Sequence, residues 1–246
     1  MRSILQIAFV LGAISLALQS CYKEDPLQPV LGLDYFPMEV DSWVEYEVDS
    51  VWRDDPIGAI GSGERHYQLR ELNESAFIDD ENRPSIRIER FKRIMDTLSW
   101  NITDIWSKAR TTLTAEQNEE NVIFIKHNFP VEEGKEWLGN NRTEHQSIES
   151  WLGQSPIPVD WNYTYQDVHQ AYTINGLTFD STVTVIQIDR PAAFGLNLFS
   201  QEVYALNVGL IHRQIMVYDI QQNPDTPSLK DTVGFVFEQK ITDFGE

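Results

Sequence analysis

The segment Val44-Glu45-Tyr46-Glu47-Val48 puts three apolar side chains on one side of an extended chain and two acids on the other. Successive side chains of a strand point to opposite faces, so this segment covers a core with one face and meets water with the other. The same period recurs along the chain. Ser85 to Arg90 turns Ile86 and Ile88 inward, and Val233, Phe235, Phe237 and Ile241 repeat the pattern near the end. Val122-Ile123-Phe124-Ile125 and Ile215-Met216-Val217-Tyr218 lack alternation and read as strands covered on both faces.

Turn chemistry separates these segments. Asp79-Asp80-Glu81-Asn82-Arg83-Pro84 and Asn118-Glu119-Glu120-Asn121 read as polar turns. Asn175-Gly176 suits a two-residue hairpin turn, because both residues tolerate positive φ. It joins a strand around Tyr163 to Tyr172 with one around Leu177 to Ile188. Asn223-Pro224-Asp225-Thr226-Pro227 breaks the chain before the last strand. No segment carries a long apolar stripe of helical period. Gln146 to Trp151 has room for one or two helical turns, and Thr111 to Glu120 fits either state. The expected fold is mostly β: a single antiparallel domain built as a meander and closed as a barrel or half-barrel, with a sandwich as the alternative and at most short helices.

A short echo runs through the pattern. Phe36-Pro37-Met38-Glu39 leads to Trp43, and Phe129-Pro130-Val131-Glu132 leads to Trp137. Each reads as a bend that feeds a strand and plugs one end of the core, and together they suggest two halves of one sheet. Two subdomains meeting near residue 128 is the other arrangement.

Acids outnumber bases by 38 to 19, which disfavours nucleic acid as a partner, since phosphate binding needs a Lys/Arg surface. The same balance disfavours docking of the domain on anionic head groups. With seven Trp and 41% apolar residues, the chain can build a core without disulfides.

The one cysteine, Cys21, follows Arg2, an apolar stretch from Ile4 to Leu18, and small or polar residues. The stretch is short for a membrane span, which needs about 20 residues, and normal for the apolar part of a signal peptide. Leu18-Gln19-Ser20-Cys21 resembles the lipobox of bacterial lipoproteins. The resemblance implies a signal peptide over residues 1–20 and acyl chains such as palmitate on Cys21, which leaves no free thiol. Several chains give a lasting membrane anchor where one gives marginal binding. Lys23, Glu24 and Asp25 resemble the surface-export signal of Bacteroidota lipoproteins; a charged tether is the plain alternative. Residues 21–34 then form the lipidated tether and 35–246 the β domain.

Tyr35-Phe36-Pro37-Met38-Glu39 with Trp43 and Tyr46 resembles the opening block of uncharacterised Bacteroidota outer-membrane lipoproteins, and Glu202-Val203-Tyr204-Ala205 with Val208-Gly209-Leu210-Ile211 resembles their closing block. The chain departs from the pattern at Asp41, where Gly is usual, so the turn there is expected to differ. The resemblance implies an outer-membrane location, surface-exposed or facing the periplasm, and a β fold. It carries no activity and no catalytic residue.

Motifs of chemistry are sparse. His66, His127, His145, His169 and His212 show no metal-ligand spacing, and there is no G-x-S-x-G and no Gly-rich phosphate loop. Acid pairs such as Glu132-Glu133 and Asp54-Asp55 are uninformative in so acidic a chain, and Asp79-Asp80-Glu81-Asn82 lacks the calcium-loop spacing. Asp49-Ser50-Val51, Asp96-Thr97-Leu98, Asp180-Ser181-Thr182 and Asp231-Thr232-Val233 resemble short O-glycosylation signals of Bacteroidota envelope proteins. Trp151 and Trp161 flank Gly153, Pro156 and Pro158 and are the tryptophans best placed for exposure and ligand contact. The expected role is a non-enzymatic structural or binding lipoprotein without cofactor or metal. A carrier for an apolar molecule in a β half-barrel, or a glycan-binding or glycan-cleaving protein, are the alternatives.

Overall fold

Twelve antiparallel strands follow one another around a single sheet, in the computed structural model, which describes residues 30–53, 62–142, 161–191, 195–222 and 230–246. The first meander contains β1 (Trp43–Arg53), β2 (Gly63–Ile78), β3 (Pro84–Arg93), β4 (Asn101–Arg110), β5 (Thr114–Glu119) and β6 (Val122–Asn128). The second contains β7 (Glu136–Leu138), β8 (Asn162–Ile174), β9 (Leu177–Arg190), β10 (Gly195–Ala205), β11 (Gly209–Gln222) and β12 (Lys230–Gly245). Pairing of β1 with β12 joins the two meanders in the middle of the sheet. The outer strands β6 and β7 then approach each other. The Ile125 N–H donates to the Gly139 carbonyl at 2.7 Å, and the Trp137 indole donates to the Ile125 carbonyl at 2.8 Å. The sheet is therefore a nearly closed barrel, as the meander pattern predicts, and not a sandwich.

The echoed motifs precede the first strand of each meander: Trp43 opens β1 and Trp137 lies in β7. Their phenylalanines meet in space. Phe36 stands edge-on to the His127 ring at 5.7 Å, and Phe129 stacks on it at 5.8 Å.

Local chemistry accounts for the turns. Asn175 and Gly176 adopt φ of 50° and 80°, the left-handed pair that a tight hairpin needs between β8 and β9. Asn82 closes the β2–β3 turn with φ of 59°. The turn expected over residues 118–121 is shorter than its polarity suggests. Only Glu120 and Asn121 have positive φ, while Asn118 and Glu119 belong to β5, with Glu119 1% exposed. The two apolar runs also correct the sequence reading. Val122 and Phe124, like Ile215 and Val217, are buried, whereas the residues between them are only half-covered, so each run has one core face.

Leu31 to Glu246 form one compact unit. Residues 31–42 cross one end of the barrel, with Leu33–Tyr35 as a single 3-10 turn. This plug is tied to the end of β4, to the segment between β6 and β7 and to the β10–β11 turn. The Leu31 carbonyl accepts from Val131 N–H at 3.0 Å, Arg110 donates to the carbonyls of Leu33 and Phe36 at 2.9 and 2.8 Å, and the Asp34 carbonyl accepts from Asn207 N–H at 2.8 Å. Tyr35 is fully buried, and its hydroxyl meets His169 Nδ1 and Ser181 Oγ, each at 2.8 Å. Asp41 keeps a φ of 69° and donates its N–H to the Asn73 carbonyl, so the left-handed turn usual for Gly persists with Asp in place.

Candidate functional site

Cross-strand partners share one face of a sheet, so the register identifies what lines the interior. That lining is not uniformly apolar. Glu202 on β10 lies opposite Arg213 on β11, and Lys108 on β4 lies opposite Gln117 on β5. Two structures result: a buried cluster of ions, and a cavity beside it.

The cluster holds Glu119, Lys126, Glu202 and Arg213, with side chains between 1% and 6% exposed. Arg213 donates to both oxygens of Glu119, at 2.8 and 3.2 Å, and from Nε to Glu202 at 2.8 Å. Lys126 Nζ lies 2.7 Å from Glu119 and 2.8 Å from Glu202. Two acids and two bases leave the group neutral, as burial requires. Burial by itself would raise the carboxyls, but the two cations outweigh it and hold Glu119 and Glu202 below their ordinary range. The chain separations are 94 residues for Glu119–Arg213 and 76 for Lys126–Glu202, so the cluster fastens β5 and β6 to β10 and β11 across the interior.

Above this cluster lies a cavity of about 390 Å³, lined on the floor by Tyr46, Ile88, Lys108, Gln117 and Tyr204. Its wall includes Phe36 and Pro37 of the plug. The cluster fixes two of the floor residues. Gln117 Nε2 donates to Glu119 at 3.1 Å, and the Tyr204 hydroxyl donates to Glu202 at 2.6 Å. Tyr46 donates to the Leu210 carbonyl at 3.0 Å. Desolvation raises both phenols well above their ordinary value, and for Tyr204 the Glu202 charge adds to it, so both stay protonated donors. Lys108 has no ion-pair partner within 4 Å among the described residues; its ammonium sits over the Phe36 ring at 5.3 Å. Desolvation lowers this amine to about 8, against the opposing pull of Glu71 and Glu39. Glu71 itself is engaged by Arg90 at 3.0 Å. Asp34 and Glu39, both exposed, stand at the mouth.

His127 is the other buried ionisable group of note. The Tyr165 hydroxyl lies 3.1 Å from His127 Nδ1, accepts from the Asn128 N–H at 3.1 Å and donates to the Asn128 carbonyl at 3.4 Å. The Tyr204 ring stands edge-on to the imidazole, with the two centroids 4.3 Å apart. Desolvation drives His127 down to about 3, so it is a neutral core residue. His212 lies between Tyr172 at 2.9 Å and Glu238 at 3.1 Å, and His66 pairs with Asp49 on the surface.

The residues singled out by sequence fall elsewhere. Cys21, Lys23, Glu24, Asp25 and Trp151 lie outside the described residues, as do His145, Asp54 and Asp55. Trp161 is 3% exposed and packs edge-on against Tyr163 at 6.4 Å, so it belongs to the core and not to an exposed stacking surface. It lies just before β8, where its carbonyl accepts from the Gly139 N–H at 2.9 Å and its ring is held in the core beside Tyr163. Asp79 binds Arg83 at 2.8 Å and accepts the backbone N–H groups of its own turn. Of the glycosylation-like segments, Thr97 is exposed between β3 and β4, while Ser181 is held by Tyr35. Sequence reasoning missed Lys108, Gln117, Glu119, Lys126, Glu202 and Arg213. The one available signal was Glu202 and Tyr204 within the closing block, on the face shared with the core.

No family model matches the chain, and no curated protein matches it. Among solved structures, it is similar to a "putative exported protein with YmcC-like fold" from Bacteroides fragilis, with 10% identity and a TM-score of 0.37. That alignment covers 86% of this chain and 98% of the other.

Proposed function

We propose that this chain is a binding protein of the cell envelope, anchored by acyl chains on Cys21, whose plugged barrel takes a small polar ligand and does not transform it. The observation that carries the reading is the cavity of about 390 Å³ with a floor of fixed polar groups. Pockets of roughly 300–1,000 Å³ with a few placed polar groups are typical of small-molecule sites. The tether, the lipobox and the blocks shared with Bacteroidota lipoproteins support the location at the outer membrane. An apolar cargo is less well served, because the interior is filled by Tyr163, Tyr165, Trp137 and the ion cluster. Sugar stacking on the outer face is also poorly served: Arg70 already covers Trp43 at 4.4 Å, and Arg93 covers Trp100 at 4.1 Å.

The test has two parts. Full-length protein is labelled with palmitate in cells and extracted in detergent; label is expected, and is lost in Cys21→Ala. Native mass spectrometry of the same material is expected to reveal a bound small molecule that disappears in Val208→Trp, which fills the cavity wall. Unmodified thiol on freely soluble protein would overturn the anchor, and absence of any bound small molecule from both proteins would overturn the binding role.

A further inference from the structure

The cavity lining carries one cation, Lys108, and four acids, Asp34, Glu39, Glu71 and Glu246. Lys108 is a cation without an ion-pair partner among the described residues, whereas Arg90 is engaged by Glu71, Lys126 and Arg213 by Glu119 and Glu202, and Arg110 by the carbonyls of Leu33 and Phe36. The mouth has the opposite sign. Asp34 and Glu39 line it, and neither makes a side-chain ion pair among the described residues. Glu71 and Glu39 act on the Lys108 amine without pairing with it, and the Gln117 amide lies directly opposite Lys108 across β4 and β5.

We propose that the cavity selects a small zwitterion, with its carboxylate seated on Lys108 and its cationic group held by Asp34 and Glu39 at the mouth. The proposal rests on the binding role given above and names its ligand class. A lone anion would meet the acidic mouth, and a lone cation would leave Lys108 without a partner, so each pays part of the desolvation without the full return. A zwitterion satisfies both ends. A half-covered ammonium facing a carboxylate in a partly water-excluded cavity forms a charge-assisted hydrogen bond, roughly twice as strong as a neutral one. The plug supplies Glu39 and the Phe36 ring, so the ligand would also bridge the plug to β4.

The groups facing the amine are Glu71 on β2, Glu39 on the plug and Arg110 on its own strand, with the Tyr46 and Tyr204 hydroxyls also on the cavity floor. With the amine lowered to about 8, affinity for a carboxylate should fall as pH rises above that value.

Isothermal titration of the full-length protein in detergent, with 6-aminohexanoate, hexanoate and hexylamine, tests this. The zwitterion is expected to bind at least ten-fold more tightly than either single-charge analogue at pH 7. Lys108→Met should abolish that advantage over hexylamine, and Glu39→Gln should reduce the advantage over hexanoate. Lys108→Arg keeps the charge and should keep the preference while removing the loss of affinity above pH about 8. Equal binding of the zwitterion and hexanoate, or an unchanged preference in Lys108→Met, would overturn the proposal. So would failure of all three probes to bind. The wider binding role would still stand if native mass spectrometry shows a ligand that Val208→Trp excludes.

Discussion

Arg213 and Glu119 are 94 residues apart in the chain and meet through two hydrogen bonds, at 2.8 and 3.2 Å, inside the barrel. Removing one partner of a buried ion pair leaves an uncompensated charge and costs about 3–5 kcal/mol, whereas removing both is often close to neutral. Arg213→Met and Glu119→Leu should each destabilise by that order in urea unfolding. The double variant leaves Lys126 and Glu202 as a balanced pair at 2.8 Å and should recover most of the loss. Additive losses in the double variant would show that the residues act separately.

Acid sensitivity should begin at His127. Its folded value of about 3 lies below the ordinary 6.5, so the unfolded chain binds this proton first. Stability therefore falls as pH drops below 6.5 and levels off near 3, by about 1.4 kcal/mol per pH unit for one proton. Glu119 and Glu202 are held low by their cations, so their contribution is present above the ordinary carboxyl value and is lost only at lower pH. His127→Phe, which suits the ring-lined site, should reduce the slope of the stability curve between pH 6.5 and 4.5, with the remainder due to His212, which desolvation also lowers. Chemical denaturation across that range reads the slope, and an unchanged slope would reject the assignment.

One phenol adds side-chain bonds to those that hold the plug through its backbone. Tyr35→Phe keeps the ring in the core and removes the bonds to His169 and Ser181. A loss of about 1 kcal/mol per hydrogen bond is expected. Hydrogen exchange should locate the loss, with faster exchange at the Asn207 amide, which donates to the Asp34 carbonyl on the plug.

Asp41 is exposed and holds φ at 69°, a conformation that costs a residue with a Cβ more than it costs glycine. Asp41→Gly is expected to stabilise by about 0.5–1 kcal/mol, read as a rise in melting temperature. A fall would mean that the Asp side chain contributes to the turn.

The hairpin at Asn175-Gly176, the inward Ile86 and Ile88, and the absence of long helices were all legible in the sequence, because they depend on neighbours within a few residues. The echo of Phe36 and Phe129 was legible too, though not their meeting on His127. Glu119 was misread. A polar residue beside Asn-Glu-Asn looks like a turn, and period-two reasoning assigns charge to the water face. Trp161 was misplaced for a related reason: the loop residues near it in sequence do not decide what packs on it in space.

The sequence by itself determined that this chain alternates, turns tightly and builds an antiparallel meander, since backbone geometry and turn chemistry are local. Only the tertiary structure decided that acids at 119 and 202 face inward, because what makes their burial tolerable is charge at 126 and 213, brought alongside by closure of the barrel. The same closure placed the plug over Lys108 and so made a cavity from residues that no short-range pattern connects.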